Sequence, residues 1–193
     1  MEEIVERIAV DLACGQNKIT LERLGWKEGK IIGVDIAGDC DIVHDLFNTF
    51  PYPFANESVD EIFSSHFIEH IPMEYVEING KSKDKLFAFV DECYRMLKKG
   101  GKMTLIFPNA MSVRAFQDPT HRRFIPAMTA YYFSKHWRDI NKLDHYNVDC
   151  DFDFVIGESV NGNWVNRSNE AKQFAYASYW NVVDDLHFIM TKK

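Results

Sequence analysis

Three aspartates, Asp11, Asp35 and Asp45, stand at or just beyond the ends of short apolar runs: Ile8-Ala-Val10, Ile31-Ile-Gly-Val34 and Ile42-Val43. In open α/β sheets, ligands bind outside the carboxyl ends of the strands, where a carboxylate can accept hydrogen bonds from a polar ligand. The three acids are therefore expected to converge on one ligand. Gly15 follows Asp11 in a tight turn and bares the backbone for close approach. Asp35 read as a helix cap, or Asp45 read as a turn residue ahead of Leu46-Phe47-Asn48, would leave those acids only local roles. A second group is His66, Glu69 and His70. Histidines four apart on one helix face suit a divalent metal, but zinc-protease helices need His-Glu-x-x-His, and this chain reads His-Phe-Ile-Glu-His. Glu69 and His70 are accordingly read as structural, and no metal is assigned. A third group, Asp118-Pro-Thr-His121-Arg122-Arg123, joins a histidine that titrates near neutral pH to two forked guanidinium groups suited to an anionic ligand.

The elements that must hold these residues alternate in type. The run from Ile8 ends in the Gly15 turn, and Lys18 to Leu24 has helical spacing stopped by Gly25. Strands are expected over Lys30–Asp35, over Asp41–Asp45, over Val59–Ser64 and over Lys102–Phe107, with a helix from Ser82 to Lys98 before the last of these. Strand, helix and strand with short connections predict a mostly parallel sheet with helices on both faces. Residues 109–150, rich in aromatics and histidine, break the rhythm; a helix is expected over Ala127–Trp137 and the remainder is expected over the mouth of the site. Strands over Phe152–Val160 and Leu186–Thr191 close the chain, and the stretch between them suits a hairpin or a short helix.

Length and composition bound the rest. At 193 residues the chain suits one domain, residues 1–193, with 109–150 as a lid or substrate-side segment. No apolar run is long enough to cross a bilayer, and the acidic start lacks a secretory pattern, so no membrane association and a cytoplasmic location are expected. The formal net charge of −7 argues against nucleic acid as a partner. The four cysteines are too dispersed for a zinc site or a disulfide framework. Cys14 is read as a small residue filling a tight turn rather than a reactive thiol.

Taken in order, Val-Asp-Leu-Ala-Cys-Gly-Gln-Asn-Lys at 10–18, Gly-Val-Asp-Ile at 33–36, His-Asp-Leu at 44–46, the run from Ser58 to Ile71 and Leu-Lys-Lys-Gly-Gly-Lys-Met-Thr-Leu at 97–105 resemble the class I S-adenosylmethionine-dependent methyltransferases. Within them the chain is most similar to a small group with a His-x-x-Glu-His element after the fourth strand. The resemblance implies a Rossmann-like three-layer α/β sandwich, its mostly parallel seven-stranded sheet carrying an antiparallel C-terminal strand. It implies S-adenosyl-L-methionine as cofactor, held by Asp11, Ala13, Cys14, Gly15 and Lys18 at the first turn. Asp35 and Ile36 would sit at the ribose, Asp35 accepting from both hydroxyls, with Asp45 and Leu46 at the adenine and Ser64, Ser65 and His66 at the methionine end. Ala13 and Asn17 stand where other members carry glycine. Asp118, His121, Arg122 and Arg123 would face the acceptor, a small molecule or sugar-like metabolite, and His66 or His121 would take a proton where the acceptor must lose one.

Two other readings share parts of this pattern. A nicotinamide-dependent oxidoreductase would need a Gly-x-Gly-x-x-Gly turn, which Ala13 to Lys18 does not supply. A non-catalytic, cofactor-binding partner subunit would keep the same fold without turnover.

Overall fold

The computed structural model describes residues 6–193. Strand β1 (Ile8–Leu12) pairs in parallel with β2 (Lys30–Asp35) on one side and β4 (Val59–Ser65) on the other, and β3 (Ile42–Val43) extends the sheet beyond β2. A strand flanked on both edges and covered on both faces is nearly all apolar: Ala9, Val10 and Leu12 are each at most 1% exposed, and Asp11 is its one charged residue. The alternation of side chains then sorts the two faces. Val10, Leu12 and Ile62 belong to the main core. The opposite face carries Glu61, which accepts from the Trp26 indole, and Phe63, under Arg23. The segment from Cys14 to Trp26, including the single turn α1 (Leu21–Leu24), thus covers that second face.

The chain re-enters through a hairpin, β5 (Tyr75–Ile78) and β6 (Lys81–Asp84), whose Asn79-Gly80 turn has positive φ at both residues. Two-residue turns of this kind match the twist of the strands they join. Helix α2 (Lys85–Met96) starts from an Asp84 cap that accepts from Leu86 N–H, and it buries Leu86, Phe89, Val90, Cys93 and Met96 against the main core. The helix expected from Ser82 therefore starts at Lys85, because the hairpin takes the residues before it. Strand β7 (Leu97–Pro108) pairs with β4, with a register shift between Val59 and Glu61.

Beyond β7 lie the turn α3 (Arg114–Gln117), a 3₁₀ stretch over Ala127–Phe133, α4 (Lys135–Asn141), β8 (Phe152–Val160), α5 (Gly162–Val165), α6 (Asn169–Ser178) and β9 (Val183–Lys192). The sheet order is β3-β2-β1-β4-β7-β9-β8, and β9 alone runs against the others, since it is antiparallel to both β7 and β8. The helix expected over Ala127–Trp137 is divided at Ser134, which is extended and leaves Lys135 N–H to the Asp151 carboxylate. Residues 109–150 form a packed wall: Ala130, Phe133 and Cys150 are fully buried, and the buried Arg138 guanidinium donates to the carbonyls of Tyr132, Val148 and Cys150.

One buried charge cluster joins this wall to the hairpin and α2. Lys83, 4% exposed, donates to Asp91 and Asp149, while the Asp91 carboxylate also accepts from the backbone of Asp149 and Cys150. Removing one partner of a buried pair strands the other and the two amides. Asp91→Ala is expected to lose about 3 kcal/mol or more in urea denaturation. Asp139→Ala, in an exposed pair with Lys135, is expected to lose less than about 1 kcal/mol.

Candidate functional site

The carboxyl ends of β1, β2, β3 and β4 surround a cleft of about 370 Å³. It is lined by Ala13, Asp35, Ile36, His44, Asp45, Leu46, Phe47, His66, Phe67 and His70. Strand order reverses at β1, with β2 and β4 on its two sides, and this reversal opens a crevice at the sheet edge. Phe47 and Phe67 stack at 5.0 Å to form an apolar wall, and Phe67 leans on the core residue Phe89.

Hydrogen-bond accounting shows what the two cleft carboxylates can still do. Asp35 Oδ1 accepts from the Ile36 and Ala37 amides and Oδ2 from the Gly15 amide. Asp45 Oδ1 accepts from the Phe47 and Asn48 amides and Oδ2 from the Asn48 side chain. With about two acceptor sites per carboxylate oxygen, each residue keeps one lone pair, on Oδ2. Asp35 thus has room for one further donor in this conformation, not for the two hydroxyls expected of it. Burial works against ionisation of Asp45, but the Asn48 side chain and the two amides outweigh it and hold its pKa below the usual carboxylate value.

The remaining residues expected at the cofactor divide. Ala13, Ile36 and Leu46 line the cleft, Ala13 with φ +59. Gly15, at φ +56, has open space where a side chain would begin, which keeps the approach to the turn clear. Asp11 does not reach the cleft. It is 3% exposed and accepts from Ile19 N–H at 2.6 Å, holding the turn under the sheet. Cys14 is buried and its thiol pKa is pushed up to about 11, chiefly by burial, which keeps it protonated and unreactive. Lys18 lays its stem over Gly33 and pairs with Asp41. Ser64 shares the core-facing side of β4 with Ile62 and is 2% exposed, and neither it nor Ser65 lines the cleft. His44, Phe47, Phe67 and His70 are cleft residues that the sequence pattern did not single out for the cofactor. Adjacency to Asp45, Leu46 and His66 is the signal that would have found the first three.

After β4 the chain does not enter a helix. His66 has φ +54 and only Ile68–His70 form a 3₁₀ turn, so His66 and His70 do not share a helix face. His66 Nδ1 lies 3.3 Å from Glu69 Oε1, and the carboxylate beside it raises the imidazole pKa. The residues expected at the acceptor are mostly committed elsewhere. Asp118 caps its own turn through the Thr120 amide and hydroxyl. His121 is withdrawn from solvent, with Nδ1 on the Ala115 carbonyl, and does not line the cleft. Arg123 donates to the carbonyls of Ile71 and Pro72 and pairs with Asp84, which leaves Arg122 as the exposed guanidinium of the segment.

Residues 10–105, about half of the chain, match the family model of the methyltransferase domain. A methyltransferase from Archaeoglobus fulgidus, described as SAM-dependent, superposes with a TM-score of 0.61 at 19% identity, covering 97% of this chain and 86% of that one. An S-adenosylmethionine-dependent methyltransferase from Mesorhizobium loti gives 0.56 at 13% identity, over 100% and 94%. A putative one from Listeria monocytogenes gives 0.57 at 11%, over 97% and 92%. No curated protein sequence matches. Sheet order and the single reversed strand define the Rossmann-like α/β fold of these enzymes. The chain belongs to the class I S-adenosylmethionine-dependent methyltransferases.

The buried Asp11 makes the turn sensitive to pH. Burial, opposed by the Ile19 amide and by Arg23 and Lys18 and reinforced by Asp35, raises its pKa to about 6. The folded protein then binds a proton that the unfolded chain, with an aspartate near 3.8, has already released, so stability falls as pH rises from about 4 through 6. Asp11→Asn keeps a carbonyl for Ile19 and removes the penalty. Its stability relative to the parent is expected to climb by about 3 kcal/mol between pH 4 and 7 and then level off, read by denaturation at a series of pH values.

Proposed function

We propose that this chain transfers a methyl group to a small molecule or sugar-like metabolite, using the cleft at the ends of β1 to β4 to hold the donor. The observation that carries the reading is the pairing of Asp35 and Asp45 on one cleft wall, each with one open lone pair, beside the apolar surfaces of Ile36, Leu46, Phe47 and Phe67. Such a surface fits a purine nucleoside: Asp35 would accept from a ribose hydroxyl, Asp45 from the adenine amino group, and Ala13 and Gly15 would leave room along the turn. The sulfonium of the bound donor supplies an activated methyl group for in-line displacement. The protein's work is then chiefly positioning, which accounts for much of the acceleration in such reactions. His66 is the expected proton acceptor that borders the cleft, whereas His121 and Arg123 are held by backbone carbonyls. Arg122 is the residue we assign to an anionic portion of the acceptor.

We read residues 1–193 as a single methyltransferase domain, with 109–150 as its substrate-side wall. Among the described residues no helix is long and apolar enough to cross a membrane. All four cysteines are free, which supports a reducing compartment such as the cytoplasm.

Calorimetric titration tests the donor assignment. S-adenosylmethionine and S-adenosylhomocysteine are expected to bind and nicotinamide dinucleotide is not. Asp35→Ala is expected to weaken the adenosyl ligands by roughly ten- to a hundredfold, the value of one hydrogen bond to a charged group. Absence of heat with both adenosyl compounds would refute the reading. In a methyl-transfer screen across small metabolites, Arg122→Ala is expected to raise the KM for the acceptor while leaving donor affinity unchanged; equal losses in both would move Arg122 to the donor side.

A further inference from the structure

Behind the cleft wall, three hydrogen-bond acceptors meet, and the nearest donor, His66, is not aligned with any of them. Glu69 is 1% exposed, and neither of its carboxylate oxygens has a hydrogen-bond partner. His66 approaches to 3.3 Å without the alignment of a hydrogen bond, and His121 Nε2 stands 3.9 Å away. The outer contacts of the two nearest imidazoles dictate their tautomers. His121 Nδ1 faces the Ala115 carbonyl at 2.9 Å; a carbonyl only accepts, so Nδ1 carries a proton and, in the neutral ring, Nε2 bears a lone pair. His70 Nδ1 faces Thr120 Oγ1 at 3.0 Å. That hydroxyl already donates to Asp118 at 2.7 Å, so His70 Nδ1 must donate and, in the neutral ring, its Nε2 also bears a lone pair. Ligand atoms of Glu69, His70 and His121 lie within 4.8 Å of one another, and the two rings meet edge to face at 4.7 Å.

A buried carboxylate facing two imidazole lone pairs is costly unless a cation lies between them. We propose that Glu69, His70 and His121 bind a divalent transition-metal ion of the zinc type. Two imidazoles and one carboxylate form a donor set that such ions take, with a further position open. Ligand atoms around tetrahedral zinc lie about 3.3 Å apart, so the side chains close by a modest rotation. The Ala115 carbonyl and the Thr120–Asp118 pair serve as the outer hydrogen bonds that orient ligating histidines, giving Asp118 and Thr120 a role as positioning residues. On this proposal Glu69 and His70 are ligands as well as structural residues. His70 also lines the cleft, so, on the methyl-transfer reading, the open position borders the space where an acceptor oxygen would sit.

The test is a titration of chelator-treated protein with zinc chloride, in the absence of any adenosyl compound, so that its outcome is independent of methyl transfer. One equivalent is expected to bind and raise the melting temperature, and cobalt(II) is expected to give the visible absorption of a nitrogen- and oxygen-ligated ion. Glu69→Gln, His70→Ala and His121→Ala are each expected to weaken zinc by more than about tenfold, while His145→Ala, outside the cluster, leaves it unchanged. Glu69→Gln carries a second readout: its amide can donate to an imidazole lone pair, so the metal-free variant is expected to melt above the metal-free parent. Failure of zinc to bind, or binding undiminished in His70→Ala and Glu69→Gln, would overturn the proposal. So would a fall in metal-free stability in Glu69→Gln, which would mark a protonated His–Glu cluster instead. If His121→Ala does not fold, His70→Ala, at a partly exposed ring, carries the same test.

Discussion

The cleft depends on a carboxylate that never reaches it. Asp11 lies under the first turn and takes the Ile19 amide, while Asp35, on the neighbouring strand, takes the Gly15 amide from the other side. Between them these two acids hold the 13–19 segment against the sheet edge, and Ala13 and Cys14 add backbone bonds to the Val34 carbonyl. Ionised Asp11 is held there against a burial penalty, as its raised pKa records. With the turn held in this way, Ala13 and Ile36 border one side of an open space and Gly15 leaves its approach clear.

Glu69 organises the opposite wall. Its backbone carbonyl accepts from both Arg122 and Arg123, tying the segment after β7 to the loop after β4. Its side chain faces the opposite problem, a buried carboxyl group with no aligned hydrogen bond. A residue that satisfies two amides with its main chain and none with its side chain is stable structurally and incomplete chemically. Incomplete polar groups of this kind are where function is sought in a folded protein.

Much of the fold was legible in local pattern. The apolar runs ending at Asp11, Asp35 and beside Asp45 are strands with their acids at one edge, because buried parallel strands demand near-continuous apolar sequence. Helix α2 shows its helical spacing in the sequence but begins three residues later than that spacing suggests, since the Asn79-Gly80 turn that diverts the chain is a two-residue signal. The region from Asn109 to Asn147 was opaque. Its aromatics pack in short 3₁₀ and α pieces whose boundaries are set by partners such as Asp151, far from any local preference.

What the amino-acid order determined by itself was the alternation of elements, and hence which residues stand at strand ends, because periodicity and turn chemistry act over a few residues. Which of those residues face the cleft was decided only by tertiary structure. Asp11 and Asp35 occupy similar positions in sequence pattern, yet one lies buried under a loop and the other lines a cavity. The same holds for His121, brought against Glu69 and its neighbour His70 by a connection of some fifty residues. Their tautomers follow from carbonyl and hydroxyl partners that only the folded chain supplies, since hydrogen-bond direction depends on which atoms meet in space.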